Sequence, residues 1–204
     1  MHLPNRRRNS KGVGLLDGDD MAYVSRAAYK LASVTKTLGI DFRGKTVLDV
    51  GASTGGFSDY ALKHGAAKVI AVEKGTKQLS PSLLAEQRIE VHEKTDIRDF
   101  KTEEKLDLIL IDASFISLRE ILPSLIKLLT SNTYILAMAK PQFEVRDQST
   151  KHGGVIKNER IRRQILMDLE KWFKKSFVIL GKADSLVSGT KGNKERFYLL
   201  KPVK

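Results

Sequence analysis

The sequence predicts an α/β fold in which a mostly parallel sheet is covered by helices. Apolar runs of strand length alternate with segments that repeat apolar residues at helical spacing, a pattern typical of such sheets. A glycine-rich turn follows the first apolar run, as it does at the ligand-binding edge of open α/β sheets. The last two strands have no helix between them, so we expect the chain to finish as an antiparallel hairpin.

The elements follow in order from apolar periodicity and from the residues that end it. The first helix is predicted over 22–38, because Ser25 can cap its start and Gly39 can end it. The other predicted helices are 57–64, 77–86, 117–130 and 158–175. The predicted strands are 45–50, 68–73, 89–93, 106–112, 133–140, 177–181 and 197–200.

Two segments depart from this regular pattern. Pro123 lies inside the fourth predicted helix, where it is unfavourable unless it occupies the first turn or introduces a kink. Residues 141–157 are predicted to form a polar, glycine-containing loop that is longer than most, and such loops are often functional.

The N-terminal residues differ in composition from the rest of the chain. Residues 1–20 are polar and rich in glycine, and they include the triplet Arg6–Arg8. We predict a flexible basic arm at 1–20, followed by one domain over 21–204. The arginine triplet can contact phosphate or can simply keep the chain in solution. Other basic residues that can contact phosphate, or can simply be solvated, are Lys151, Lys157, Arg160, Arg162, Arg163, Lys191 and Lys194.

Composition narrows the possible partners and sites. The 204 residues include 36 Lys and Arg against 24 Asp and Glu, a net charge of +12, which indicates a polyanion such as nucleic acid; a solvated surface or an anionic membrane surface are the alternatives. The absence of cysteine excludes disulfides and thiolate metal sites, and the four histidines have no ligand-like spacing, so we predict no metal site. With no apolar run of membrane-spanning length and no signal peptide, we expect a cytoplasmic location.

The turn after the first strand is the first candidate ligand site. It consists of Gly51, Ala52, Ser53, Thr54, Gly55, Gly56 and Phe57. Its glycines can adopt positive φ and let a ligand lie against the backbone. Ser53 stands where the dinucleotide fingerprint has its second glycine, which argues against a cofactor that carries a pyrophosphate. A structural turn without a ligand is the alternative.

Carboxylates at the ends of successive strands indicate an adenosine-type ligand. Glu73 ends the second strand about 20 residues after the turn, where a carboxylate can accept both ribose hydroxyls. Asp96 follows the third strand, where it can meet an adenine amino group. Asp112 ends the fourth strand and is expected to point into the same crevice, unless it only caps a loop.

Lys140 is the candidate base of a reaction at this edge. It ends the fifth strand directly before Pro141, a position poorly suited to simple solvation. A lysine in a dry cleft or beside another cation can become neutral and act as a base.

Seven motifs give the chain a resemblance to a known family. They are SRAAYKL (25–31), VLDVGASTGGF (47–57), AVEKG (71–75), LILIDASFISL (108–118), AKPQFE (139–144), HGGVI (152–156) and KGNKE (191–195). Together they resemble the TlyA, or hemolysin-A-like, family of FtsJ-like ribosomal RNA methyltransferases. The resemblance covers about residues 22–200.

The resemblance implies a fold, a cofactor and a reaction. The fold is a Rossmann-like class I methyltransferase with a seven-stranded, mostly parallel sheet and an antiparallel terminal hairpin. The cofactor is S-adenosylmethionine, bound by the turn together with Glu73, Lys74, Asp96 and Asp112. The reaction is methylation of ribose 2′-hydroxyls in ribosomal RNA.

The resemblance also implies which residues carry the reaction. FtsJ-like enzymes use a Lys–Asp–Lys–Glu tetrad, and the matching residues are Lys30, Asp112, Lys140 and Glu195. From spacing alone these four charges are equally consistent with a structural salt-bridge network. We expect Lys140 to orient and deprotonate the hydroxyl, while the two acids hold both ammonium groups.

Two departures from the family pattern are visible. The family usually carries an S4-like RNA-binding domain before the methyltransferase domain, whereas only the short basic arm of residues 1–20 precedes it here. SRAAYKL is closer to the heat-shock FtsJ form than to the RGG-containing TlyA form.

Three other functions stay open at this point. One is a non-catalytic RNA-binding protein that keeps the fold. Another is a membrane-damaging protein, as the hemolysin name implies. The last is a nicotinamide dehydrogenase, which the serine in the fingerprint disfavours.

Overall fold

The described residues form one α/β unit around a seven-stranded sheet. The computed structural model describes residues 22–145, 154–189 and 192–203, so the predicted basic arm at 1–20 lies outside the described residues. The strands are β1 (Thr46–Val50), β2 (Lys68–Val72), β3 (Ile89–His92), β4 (Leu108–Ile111), β5 (Tyr134–Ala139), β6 (Phe177–Asp184) and β7 (Arg196–Pro202).

The strand order is β3-β2-β1-β4-β5-β7-β6. Strands β1 to β5 pair in parallel, whereas β7 pairs antiparallel with both β5 and β6. The predicted sheet with its antiparallel terminal hairpin is therefore confirmed. The last strand inserts beside β5 instead of continuing the sheet outward, so residues just before β7 lie next to residues just after β5.

Helices cover both faces of the sheet. They are α1 (Arg26–Leu38), α2 (Gly56–Lys63), α3 (Pro81–Leu84), α4 (Leu118–Leu125), α5 (Pro141–Glu144) and α6 (Glu159–Phe173). Because successive strand residues point to opposite faces, Val47 of β1 packs with α1 and α2, while Leu48 packs with α4 and α6. The central parallel strands β1, β2, β4 and β5 are therefore largely buried on both faces, whereas the edge strands β3 and β6 are only partly buried.

The first helix is shorter than predicted at its start. It begins at Arg26 instead of residue 22, and the predicted cap is present, since Ser25 Oγ accepts a hydrogen bond from the Ala27 N–H at 3.3 Å. Gly39 ends it in a left-handed conformation with φ of 64°.

The predicted helix at 77–86 is mostly wrong. Only Pro81–Leu84 is helical, because Pro81 has no N–H to donate to the Lys77 carbonyl and Lys77 itself has a positive φ of 53°. The N–H groups of Lys77 and Gln78 donate to the Glu93 carboxylate at 2.7 and 2.8 Å, which holds this turn. Pro81 also holds Ser80 in an extended conformation, with ψ of 137°, so the helix cannot extend backwards.

Proline also changes the two segments that the sequence marked as irregular. The predicted helix at 117–130 divides, with Pro123 inside α4 and a 3-10 turn over Ile126–Leu128. The predicted loop at 141–157 begins with helix α5, because Pro141 is suited to the first helical position after Lys140.

Gly56 lets α1 and α2 meet at their first turns. A Cβ atom on Gly56 would lie 2.9 Å from Ala27 Cβ and 3.0 Å from the Ala28 nitrogen, and it would overlap Ser25 Oγ. The glycine is therefore required by packing between two helices.

We expect Gly56→Ala to lower the free energy of unfolding by roughly 1–3 kcal/mol, because the added methyl overpacks this contact. This exceeds the gain of up to about 1 kcal/mol from removing a helical glycine. Urea denaturation measures the change, with Thr37→Ala on the exposed side of α1 as a control that stays within about 0.5 kcal/mol. A Gly56→Ala protein as stable as the parent would contradict the packing role.

Candidate active site

A cleft opens where the parallel strands end. Its volume is about 630 Å³, and its walls include the residues that follow β1, β2 and β4. A smaller cavity of about 140 Å³ shares Gly51, Ser53, Asp112 and Ser114 with the cleft and also reaches Lys140. The position matches the edge at which open α/β sheets bind ligands.

The turn after β1 brings two strand ends into close contact. Gly51 has φ of 78°, and a Cβ atom there would lie 3.1 Å from both Ala113 Cα and the Asp112 carbonyl oxygen. Glycine is therefore needed for the approach. Ser53 also adopts positive φ, at 49°, and its N–H donates to Glu73 Oε2 at 2.9 Å. The serine takes the backbone conformation that a glycine would take.

The predicted cofactor residues divide into three groups. Glu73, Lys74, Asp96 and Asp112 line the larger cleft with Gly51 and Ser53. Ala52, Thr54 and Phe57 line the smaller cavity. Gly55 and Gly56 line neither, since Gly55 packs against Leu79 and Leu83, and Gly56 packs against α1.

Glu73 keeps acceptor capacity for a ligand. Its Oε2 accepts the Ser53 N–H, and its Oε1 accepts the Gly75 N–H at 2.6 Å. Each carboxylate oxygen can accept a second hydrogen bond, so the side chain can still receive two hydroxyl donors.

Asp96 is more heavily engaged. Its two oxygens accept from the Arg98 backbone and side chain at 2.7–3.0 Å and from Lys74 Nζ at 3.2 Å. The hydrogen bonds from Arg98 hold the pKa of the Asp96 carboxyl well below its usual range, despite partial burial. A ligand donor at Asp96 would have to displace one of these contacts, and Lys74, whose side chain is 75% exposed, is the easiest to displace.

The end of β4 and the end of β5 are joined by an ion pair. Lys140 Nζ lies 2.6 Å from Asp112 Oδ1 and donates to Ser114 Oγ at 2.7 Å. Both side chains are largely buried, with 10% and 15% of their surface exposed. The contact exists because β4 and β5 are parallel neighbours and their carboxyl ends meet.

A second ion pair joins α1 to the segment before β7. Lys30 Nζ lies 2.6 Å from Glu195 Oε2, and the two side chains are 13% and 4% exposed. Ala139 of β5 is paired with Arg196 of β7, so Lys140 and Glu195 are the next cross-strand neighbours in the same antiparallel register. The four residues of the predicted tetrad therefore form two nearly buried ion pairs at neighbouring strand positions, although Lys30 and Glu195 line neither cavity.

Asp49 is a candidate that the sequence analysis did not select. It lies in β1, is fully buried and lines the smaller cavity. Its Oδ2 accepts from Ser58 Oγ at 2.6 Å, whereas Oδ1 has no hydrogen-bond partner among the described residues. Burial raises the pKa of the Asp49 carboxyl to about 7, and the charge of Asp112 adds to this. The only sign of this in the sequence is that Asp49 is an acidic residue inside an otherwise apolar strand.

Phe115 was also missed. It lines the cleft with 91% of its surface exposed and φ of 66°, and its ring lies 5.2 Å from that of Phe143.

Two further features of the chain bear on the other candidate functions. Among residues 22–145, 154–189 and 192–203, no helix has the length and apolar character needed to cross a membrane. Over the same ranges, no three His, Asp or Glu side chains are grouped as a metal site would require.

Comparison with protein families gives a match over most of the chain. A profile described as FtsJ-like methyltransferase matches residues 23–201. The 23S rRNA (cytidine-2′-O)-methyltransferase TlyA of Campylobacter jejuni is 40% identical over 178 residues, which are 86% of this chain and 70% of that protein. The 16S/23S rRNA (cytidine-2′-O)-methyltransferase TlyA of Mycobacterium tuberculosis is 36% identical over 95% of this chain and 74% of its own length.

Solved structures agree with this match. A candidate hemolysin from Lactococcus lactis superposes with a TM-score of 0.83 at 34% identity, and the match covers 88% of each chain. One from Streptococcus thermophilus has a TM-score of 0.85 at 32% identity, over 92% of this chain and 70% of that one.

The raised pKa of Asp49 predicts a pH dependence of stability. The folded state holds this proton up to about pH 7, whereas the unfolded state releases it near 3.8. The free energy of unfolding of the parent, relative to Asp49→Asn, should therefore fall as the pH rises from 4 to 7, by at most about 4 kcal/mol.

Urea denaturation of both proteins without added cofactor, at several pH values, measures this difference. Ser58→Ala serves as the comparison, since it removes the side-chain hydrogen bond that favours the ionised form and should make the fall larger. A difference between parent and Asp49→Asn that is constant from pH 4 to 7 would contradict the assignment.

Proposed function

Because the chain belongs to the FtsJ-like methyltransferase family, we propose that it transfers a methyl group from S-adenosylmethionine to a ribose 2′-hydroxyl of ribosomal RNA. The substrate class is supported by relatives whose names give them as rRNA (cytidine-2′-O)-methyltransferases. The observation that carries the proposal is the ion pair of Lys140 with Asp112, which lines the smaller cavity, with the Lys30–Glu195 ion pair at the next cross-strand position. We expect the reaction to take place in the cytoplasm.

The residues at the cleft fit S-adenosylmethionine. The cofactor supplies an electrophilic methyl group on a positively charged sulfonium. Glu73 would accept the ribose hydroxyls, because both of its oxygens keep acceptor capacity. The unpartnered Oδ1 of Asp49 suits the ammonium group of the methionine part. Gly51 allows the backbone to approach the ligand closely.

Lys140 is the proposed catalytic residue. Its Nζ contacts Asp112 and Ser114, and all three residues line the smaller cavity. Lys140 would orient the 2′-hydroxyl and help to remove its proton. Lys30 and Glu195 would complete the site next to it. Holding the hydroxyl in line for attack supplies a large part of the acceleration in such transfers.

Exposed basic side chains near Glu195 would contact the RNA backbone. Lys157, Arg160 and Arg163 lie at the start of α6, and Lys194 directly precedes Glu195. Arg162, which the sequence grouped with them, is only 6% exposed and donates to Asp184 and to the Lys194 carbonyl, so it is structural. Three other predicted contacts, at Arg6–Arg8, Lys151 and Lys191, lie outside the described residues.

We expect Lys140→Ala to lower the rate of methyl transfer to ribosomal subunits about 10²- to 10⁴-fold, as loss of a general base does. Binding of S-adenosylmethionine, measured by calorimetry, should stay near that of the parent. Lys101→Ala, which replaces an exposed lysine that lines neither cavity, is the control and should leave the rate unchanged. Salt-sensitive RNA binding without any transfer by the parent protein would instead favour a non-catalytic RNA-binding protein.

Glu73→Gln tests the adenosine site separately from the reaction. An amide has a single acceptor oxygen, so it cannot serve the turn and both ribose hydroxyls as a carboxylate does. We expect the dissociation constant for S-adenosylmethionine to rise roughly 10- to 100-fold. Glu103→Gln, an exposed glutamate, should leave it unchanged. Equal affinity in Glu73→Gln would contradict this binding mode.

A further inference from the structure

The segment after β5 is joined to the segment after β4 at three successive places. Lys140 contacts Asp112 and Ser114 at one end. The rings of Phe143 and Phe115 lie 5.2 Å apart in the middle. At the other end, Glu144 contacts residues 117–119. Only the first of these three contacts involves the proposed catalytic residues.

Glu144 makes the third contact. Only 1% of its side-chain surface is exposed. Its Oε1 accepts the Leu118 N–H at 2.8 Å, and its Oε2 accepts from Ser117 Oγ at 2.6 Å and from Arg119 Nη1 at 3.0 Å. Arg119 also donates to the Glu144 carbonyl at 3.3 Å. One carboxylate therefore binds three consecutive residues at the start of α4.

The position of Glu144 gives these bonds a mechanical effect. It is the last residue of α5, a four-residue helix that begins directly after Lys140. A helix this short has little stability of its own, so its placement depends on tertiary contacts. The start of α4 is a favourable place for a carboxylate, because the free N–H groups and the helix dipole attract negative charge.

The same carboxylate is costly for folding. Burial raises the pKa of Glu144, although its hydrogen bonds and Arg119 oppose the rise. A buried ion pair is weak evidence for net stability, and in some proteins such a pair instead fixes one arrangement of its partners. A role in geometry therefore accounts for it better than a role in stability.

We infer that Glu144 is a positioning residue, which clamps the 140–144 segment to the start of α4 and so keeps the Lys140 ammonium on Asp112 and Ser114. The inference rests on the proposed methyl transfer. Without the clamp, α5 can shift and Lys140 loses its fixed direction. A displacement of about 1 Å in a catalytic group can cost on the order of 100-fold in rate.

Steady-state kinetics on the full-length protein test this, with ribosomal subunits and S-adenosylmethionine as substrates. We expect kcat to fall roughly 10- to 100-fold in Glu144→Ala and less in Glu144→Gln, whose amide oxygen can still accept the Leu118 N–H. The KM for S-adenosylmethionine should change less than about twofold, because the residues proposed to hold it are untouched.

The matched control is Asp107→Ala. Asp107 also binds a backbone N–H across the chain, that of Thr46 at 2.9 Å, but at the opposite end of β1 and β4. Its loss should lower the melting temperature and leave kcat unchanged when all proteins are assayed fully folded. A kcat for Glu144→Ala equal to that of the parent, or a change in KM alone, would overturn the inference and leave methyl transfer by Lys140 intact.

Hydrogen exchange gives a readout that does not need turnover. In Glu144→Gln, which keeps the shape of the side chain, amides of 112–119 and 140–145 should lose protection together, while β1 amides stay protected. Unchanged protection in both segments would also overturn the inference. Absence of methyl transfer by the parent protein would refute the proposed function and, with it, the role of Glu144 in positioning.

Discussion

The buried ion pair between Lys140 and Asp112 is the contact on which the site depends. A lysine with 10% of its side chain exposed is costly to keep charged unless an acid and further acceptors surround it. The sheet supplies them because β4 and β5 are parallel neighbours in register, so Asp112 and Lys140 leave the same edge side by side. Insertion of β7 against β5 then adds Glu195 at the next cross-strand position, and α1 brings Lys30 to it.

The acids of the cleft differ in how much hydrogen-bond acceptor capacity they keep for a ligand. Glu73 uses one acceptor position on each oxygen to hold the turn after β1 and keeps the others. Asp96 is fully engaged by Arg98 and Lys74. Asp49 has one carboxylate oxygen without a hydrogen-bond partner among the described residues, and its burial raises its pKa. These differences separate the residues suited to bind hydroxyls and ammonium groups from those that shape the walls.

Much of the sheet could be predicted, because apolar runs ending in Gly51, Glu73 and Asp112 mark buried strands directly. The tetrad needed the resemblance to a known family, since Lys30 and Glu195 meet only through the tertiary fold. The error at 77–86 came from the backbone before Pro81. Lys77 adopts a positive φ of 53°, and its turn is held by the Glu93 carboxylate, a contact that local apolar pattern does not show.

Other residues were misjudged because local pattern does not report burial. Asp49 lies inside an apolar strand, and the local pattern did not show that it lines a cavity. Arg162 looked like part of a basic surface, yet it is buried against Asp184.

The most direct test of the central claim is the chemistry of the product. Labelled ribosomal RNA from the reaction is digested with alkali. Since a 2′-O-methyl group blocks alkaline cleavage, the account predicts that the label stays in alkali-resistant dinucleotides; label released in mononucleotides, as a methylated base would give, would contradict it.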